Sequence, residues 1–294
     1  MKRTNRLTNV FLSLILMIVC ASSNKIFANQ LQQIKTDTMP TGNYAAVNGI
    51  KMYYEIHGEG NPLVLIHGGG STIETTFGNI LPLFAKRYKV IAVELQAHGH
   101  TSDRDAPESF QQDADDVAAL LKQLNISKAN ILGFSNGGST TLQIAIRHPA
   151  LVDKIIVIAG AYQREGFIPG FFEGMQQATI KNMPQPLQDA FLKINPDTAA
   201  LLNMFNKDKN RMINFKDWPD DDLHSIKAPA LIINADKDVI TTEHALKMSR
   251  LISNAGLMIL PGLHGECLGA IETTKTNSKI PGMTVVVVEE FLNK

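Results

Sequence analysis

The run Gly133-Phe134-Ser135-Asn136-Gly137-Gly138 decides how the rest of the chain is read. It follows the mainly apolar Ala129-Asn130-Ile131-Leu132 and precedes Ser139 to His148, a segment of helical pattern stopped by Pro149. Strand, sharp turn with a serine at its tip, then helix is the context that pushes a serine hydroxyl clear of a sheet edge. A serine there sits in a strained backbone conformation. The residues two before and two after it approach so closely that only small side chains fit, and Gly133 and Gly137 hold those places. The backbone N–H of Asn136, at the helix start, then points to where an oxyanion forms. A Gly-x-Ser-x-Gly match also arises by chance in ordinary chains, so the flanking sequence carries the weight.

Outward from this bend, short continuous apolar runs alternate with helical patterns. Leu63-Val64-Leu65-Ile66, Val90-Ile91-Ala92-Val93, Ile155-Ile156-Val157-Ile158, Ala230-Leu231-Ile232-Ile233 and Leu257-Met258-Ile259-Leu260 read as strands, most of them buried on both faces. Lys51 to Ile56 alternates and reads as an earlier strand. Helices are expected over Asn79 to Arg87, with Pro82 in the first turn. Another runs from a capping box at Ser109-Phe110-Gln111-Gln112 to Leu124, and a third covers Glu243 to Ile252. Thr284 to Leu292 is read as a closing helix from its place in the order, although four consecutive valines favour a strand. Between Tyr162 and Ile226 no strand run appears. That segment, rich in Phe, Met, Asn, Asp and Pro, reads as a mostly helical cap inserted over the sheet. The expected fold is α/β, a doubly wound, mainly parallel sheet with a helical cap insertion. The expected division is core over 45–161, cap over 162–226 and core again over 227–294.

In such sheets reactive groups gather on loops at the carboxyl ends of strands. A serine hydroxyl is a poor nucleophile until a base takes its proton, and a histidine oriented by a carboxylate is the usual base. The loop after Ile233 carries Asp236 and Asp238, and the loop after Leu260 carries His264. The order serine, aspartate, histidine is that of triads on this architecture. Asp236 and Asp238 both remain candidates for the acid on this reading.

Taken together, these segments resemble α/β-hydrolase-fold serine hydrolases of the esterase and lipase kind, over essentially all of residues 45 to 294. The matching stretches are Leu65-Ile66-His67-Gly68-Gly69-Gly70, Gly133 to Gly138, Pro229 to Ile233 running into Asp236-Lys237-Asp238, and Pro261 to Gly265, with His148-Pro149 after the elbow helix. The resemblance implies Ser135 as nucleophile, His264 as base, Asp238 as orienting acid, and the N–H groups of Gly69 and Asn136 as the oxyanion hole. It implies no metal or organic cofactor. One loop departs from the common pattern: Glu94-Leu95-Gln96-Ala97-His98-Gly99-His100 has an acid but lacks the arginine usual before its His-Gly pair, and is read as structural. A serine at the elbow disfavours epoxide opening and halide removal, which use an aspartate there. Ester-type hydrolysis of a small apolar substrate is expected. The alternatives are cofactor-free peroxidase-type or carbon–carbon bond chemistry on the same residues, or a binding protein that keeps the fold without turnover. Phe167, Phe171, Phe172, Met175, Met183, Met204, Phe205 and Met212 either line a pocket or form the core of the cap; the latter is expected for each taken singly.

The N-terminus reads as a secretory signal peptide over 1–28. Lys2, Arg3 and Arg6 precede an apolar run from Val10 to Ala21, short for a bilayer span, and small and polar residues follow. Cleavage is expected after Ala28, with Ser23 as the alternative, followed by a polar leader over 29–44. Val19 before Cys20 disfavours a lipoprotein signal. Cleavage after Ala28 would remove four basic residues and no acid, leaving 24 basic against 28 acidic side chains and a formal charge of −4. No basic tract then remains for nucleic acid or an anionic membrane, and no stable membrane insertion is expected of the processed chain. Cys267 would be the one cysteine left, which excludes an intrachain disulfide. The expected partner is a small-molecule substrate, the expected location is secreted or periplasmic, and the sequence sets no oligomeric state. Mass spectrometry of protein from its native host should find a mature N-terminus at Asn29 or Asn24; an intact Met1 contradicts export.

Overall fold

A computed structural model of the protein describes residues 42–273 and 277–294. The expected signal peptide and nearly all of the expected leader lie outside the described residues. Eight strands are described: β1 (Asn43–Val47), β2 (Ile50–His57), β3 (Asn61–Ile66), β4 (Tyr88–Val93), β5 (Ala129–Phe134), β6 (Val152–Ile158), β7 (Ala230–Lys237) and β8 (Ala255–Leu263). They form one sheet in the order β1-β2-β4-β3-β5-β6-β7-β8. β1, β2 and β4 pair antiparallel, and every neighbour from β4 through β3 to β8 pairs parallel. β1 was not expected from the sequence; it takes Asn43 and Tyr44 out of the leader and into the sheet.

The helices are α1 (Ile73–Phe77), α2 (Leu81–Phe84), α3 (Phe110–Gln123), α4 (Asn136–Arg147), α5 (Phe171–Gln177), α6 (Gln185–Ile194), α7 (Thr198–Ile213), α8 (Asp220–Ser225), α9 (Thr242–Leu251) and α10 (Ile280–Leu292). Successive strand residues point to opposite faces. Val64 and Ile66 therefore join the core under α3, α4 and α9, while Leu63 and Leu65 join the core under α1, α2 and α10. All four are fully buried, each contributing about 2 kcal/mol of apolar burial. This is why β3 reads as an unbroken apolar run.

Local signals account for the helix limits. Ser109 accepts a hydrogen bond from the Gln112 N–H at the start of α3. The expected reciprocal bond is not made: the Gln112 side chain donates to Asp116 instead, so Ser109 caps alone. Pro82 stands in the first turn of α2, where its missing N–H costs nothing, but the helix is only Leu81–Phe84 rather than the longer run expected. The valine run is helical. Val285, Val288 and Leu292 are buried at helical spacing, while Val286 faces solvent at 65 % exposure. A β-branched run folds as a helix here because its buried members recur every three to four residues. β8 is a strand, as expected, but unlike β3 to β6 it is not buried on both faces. It is the sheet edge, and Leu257, Ile259 and Leu263 are exposed.

Between β6 and β7 the chain carries no strand. α5 to α8 and three-residue 3₁₀ turns fill this interval. Asp197 caps α7 by accepting from the N–H groups of Ala199 and Ala200. Met183, Leu187, Phe191, Leu201 and Met204 form a separate apolar core for this insertion, which Ala97 from the loop after β4 also joins.

Candidate active site

β5 is central in the sheet, between β3 and β6, and runs directly into the bend at Ser135. Ser135 has φ 56° and ψ −119°, a conformation that L-residues rarely adopt. Two contacts hold it there. The Ser135 N–H donates to Ile158 O at the end of β6 at 2.9 Å. Gly133 and Gly137 press together: a Cβ on Gly133 would lie 2.0 Å from Gly137 O, and one on Gly137 would lie 2.2 Å from Ile66 O. No side chain larger than hydrogen fits at either place, as the sequence implied.

The loops after β7 and β8 bring the other residues to this bend. The Ser135 hydroxyl lies 3.0 Å from His264 Nε2, the direction in which it donates to an unprotonated nitrogen. His264 Nδ1 lies 2.7 Å from Asp238 Oδ1 and donates to it. Asp238 is buried, and the same oxygen accepts the Ile240 N–H at 3.1 Å. Phe134 packs beneath the imidazole with ring centroids 4.6 Å apart. Asp236 is not at the site. It still belongs to β7, where its carboxylate accepts the Gly262 N–H at 2.7 Å and ties down the end of β8. The structure thus brings Ser135, His264 and Asp238 together and places the other aspartate apart.

Gly69 and Asn136 flank the serine from two sides. Among the described residues neither backbone N–H has a protein acceptor. The loop carrying Gly69 is anchored by His67, which is fully buried after β3. Its Nδ1 lies 2.7 Å from Gly68 O, and its Nε2 accepts the Leu95 N–H at 3.0 Å. One ring nitrogen must donate and the other accept, so His67 is neutral. Burial, reinforced by the nearby His98, pushes its pKa down to about 3.

Comparison with known proteins agrees with this fold. A family model described as alpha/beta hydrolase fold matches residues 61–193. The human serine hydrolase BPHL is 31% identical over 241 residues, covering 76% of this chain and 80% of that protein. The chain belongs to the α/β-hydrolase family. A 2-hydroxy-6-oxo-6-(2'-aminophenyl)hexa-2,4-dienoic acid hydrolase of Metapseudomonas resinovorans is 29% identical over 138 residues, 45% of this chain and 48% of that one. The structure of the meta-cleavage product hydrolase CumD from Pseudomonas fluorescens IP01 superposes with a TM-score of 0.71 at 22% identity, covering 86% of this chain and 97% of that one.

In this α/β hydrolase a cavity of about 320 Å³ opens at Ser135 and His264. Phe167, Phe171, Met175, Met183, Phe205 and Met212 of the insertion line it. Six of the eight candidates thus border the cavity, and two of these, Met183 and Met212, are buried core residues as well. Met204 is buried in the insertion's own core, and Phe172 stacks under the Arg164 guanidinium. Cys267 is buried and outside the site, and burial pushes its thiol up to about 12.

A buried ion cluster beside the Gly69 loop was not anticipated. Asp208 of α7 accepts from the Gly70 N–H at 2.6 Å and pairs with His98 Nε2 at 2.9 Å. Arg211, one turn on, pairs with Glu108 and with Asp113, the latter at 2.8 Å, and stands 3.8 Å from Asp208. The signal was present in the sequence: Leu201, Met204, Asp208, Arg211 and Met212 recur at helical spacing, so two charges interrupt an apolar stripe. His98 Nδ1 faces Gln96 O at 2.8 Å while Nε2 faces Asp208, so both nitrogens donate and the ring is an imidazolium. Burial alone would lower its pKa, but Asp208 outweighs burial and raises it to about 9. Burial likewise opposes ionisation of Asp208, yet His98 and Arg211 hold its carboxyl well below the usual carboxylate range. Burial pushes Glu108 up to about 7 despite Arg211.

These shifts set a stability profile. A histidine raised in the folded state contributes fully below its ordinary pKa, and the contribution is lost as pH rises through the folded value. Asp208 is depressed, so its contribution is lost only in strong acid. Glu108 is ionised above about 7, so it adds no slope higher up. The unfolding midpoint of the wild type should therefore fall as pH rises from about 6.5 to about 9, and His98→Gln should lack that step. Parallel curves in thermal melts across this range contradict a charged His98.

Proposed function

We propose that this α/β hydrolase is a serine hydrolase that cleaves an ester-type bond of a small, mainly apolar substrate through an acyl-enzyme. The observation that carries the reading is the unbroken chain of contacts from buried Asp238 through His264 to the Ser135 hydroxyl, at 2.7 and 3.0 Å, at the mouth of the apolar cavity.

In this reading Ser135 Oγ attacks the substrate carbonyl while His264 Nε2 takes the hydroxyl proton. Asp238 keeps the proton of Nδ1 in place, so that Nε2 is the free nitrogen, and stabilises the imidazolium that forms. The N–H groups of Gly69 and Asn136 receive the oxyanion. Each such donor acts on charge present only in the transition state and contributes about 3 kcal/mol. Collapse expels the alcohol, which takes the proton from His264. Water then attacks the acyl carbon, giving its proton to His264. Release of the acid returns that proton to Ser135.

A second reading, hydrolysis of a carbon–carbon bond in an anionic substrate, is favoured by the relative that acts on a dienoic acid. The charges around the cavity favour the ester. Lys209 and His264 are the basic residues lining it, and Arg211 is engaged by Glu108 and Asp113. Beside Ser135 stands the carboxylate of Asp208 rather than a free cation for a substrate carboxylate. Export through the 1–28 segment belongs to the same proposal and rests on its charged-then-apolar sequence.

Purified protein should hydrolyse short-chain p-nitrophenyl esters. Ser135→Ala should lower kcat by about 10⁴-fold or more while leaving the fold intact by circular dichroism. Full turnover in that variant removes Ser135 from the reaction. Ring-fission dienoate substrates turned over in preference to every ester would establish the second reading instead.

A further inference from the structure

We propose that Asp208, carried on the helical insertion, is a positioning residue that locks both halves of the oxyanion hole, with His98 as its charge partner. The inference rests on the acyl-transfer reading of Ser135 and deepens it.

The carboxylate bridges the two segments that carry the donors, through the N–H that follows Gly69 and through the side chain of Asn136. Oδ2 accepts the Gly70 N–H at 2.6 Å, and Oδ1 accepts from the Asn136 side-chain amide at 3.1 Å. Gly69 lies beneath this bridge: a Cβ there would stand 3.1 Å from Asp208 Oδ2 and 2.6 Å from Asn136 Nδ2. The backbone at stake is three consecutive glycines, the most freely rotating sequence a chain can offer. Gly68 is held from below by His67 Nδ1 and by the Ser71 N–H. The Gly69–Gly70 peptide is held by Asp208 at its N–H and by the Ser71 hydroxyl, which donates to Gly69 O at 3.3 Å. Engaging the Gly70 N–H fixes the plane that follows Gly69, and with the Gly68 carbonyl held on the other side both torsions of Gly69 are set, leaving the Gly69 N–H, which belongs to the Gly68–Gly69 peptide, free for an oxyanion. Pre-set donors are what makes such a site effective, since a donor that must first rotate loses much of its value.

The chemistry demands a carboxylate. Oδ2 receives protons from both the Gly70 N–H and His98 Nε2, and Oδ1 receives one from Asn136. Gly70 N also lies 3.1 Å from His98 Nε2, but that nitrogen carries a proton and cannot accept. An asparagine would place an amide N–H against a donor on one side or the other. An uncompensated carboxylate beside a forming oxyanion would oppose it, so the charge must be balanced. The groups packed around Asp208 are His98 from the loop after β4, Arg211 on its own helix, Glu108 and Asp113 bound to Arg211, and the neutral His67. His98 is the direct counter-charge of Asp208, and Arg211, shared with Glu108 and Asp113, adds a weaker attraction from 3.8 Å.

A purely structural Asp208 would dock the insertion and nothing more. Lys207 is the control for docking, because its ammonium binds Asp103 at 2.7 Å and the carbonyls of Arg104 and Ala106 at 2.8 Å, with no contact to Gly69, Gly70 or Asn136. The readout is the rate at which an alkyl fluorophosphonate labels Ser135, resolved into saturation affinity and maximal rate. The probe needs no knowledge of the substrate, and its phosphoryl oxygen uses the same donors. Asp208→Asn should cut the maximal rate by about 30-fold or more with little change in affinity. Lys207→Ala should label at the wild-type rate even where its melting temperature falls. If Asp208→Asn does not fold, His98→Gln carries the test, since it keeps a donor toward Asp208 without the charge and should also slow the maximal rate. A variant rate within threefold of wild type, or an effect confined to affinity or melting temperature, overturns the proposal. A folded wild type that takes no label refutes the acyl-transfer reading itself, and this inference with it.

Discussion

One strained peptide bend sets the terms for the rest of the molecule. Ser135 is held at φ 56° because the backbones on either side leave it no alternative. Gly133 is pressed against Gly137, Gly137 against the end of β3, and the serine N–H is bound to the end of β6. Such a conformation costs on the order of 1–3 kcal/mol and persists only where its surroundings over-determine it. The surroundings here are three central strands whose side chains are almost wholly buried on both faces of the sheet. Core packing therefore supplies the rigidity that the bend requires. The bend in turn carries a hydroxyl to the edge where the loops after β7 and β8 can meet it.

The helical insertion adds two unlike features above that edge. Its aromatic and methionine side chains make the cavity apolar, while α7 lowers a ring of charges onto the Gly69 loop. Burying Asp208, His98, Arg211, Glu108 and Asp113 together is a poor way to gain stability, because desolvation consumes most of the Coulombic attraction. What such a cluster does well is fix geometry, since its ion pairs join the insertion to two other parts of the chain at defined atoms. The cluster spans the insertion, the loop after β4 and the start of α3, and it ends on the glycines beside Ser135.

Much of this was legible in the sequence, for identifiable reasons. Strands buried on both faces leave unbroken apolar runs, so β3 to β7 could be read directly, and the elbow announced itself through glycines that only a close backbone approach requires. Features whose signal depends on partners elsewhere were harder to read. β1 is a short edge strand with exposed and buried positions mixed, and β8 at the other edge is apolar yet exposed. Asp236 and Asp238 differ by two residues, and only the end of β7 at Lys237 decides that the second reaches His264. The four valines pointed toward a strand locally, and the three-to-four spacing of Val285, Val288 and Leu292 resolved them as helix. Asp208 and Arg211 drew no reading from the sequence, because their partners lie about a hundred residues earlier in the chain.

The central claim is that the Ser135 oxygen becomes acylated during turnover, and rapid-quench mass spectrometry of the intact protein during ester hydrolysis tests it most directly. The account predicts a transient mass increase equal to the acyl group, localised by digestion to the peptide containing Ser135 and absent when Ser135 is alanine. Ester turnover with no such adduct, or an adduct on any other residue, would contradict it.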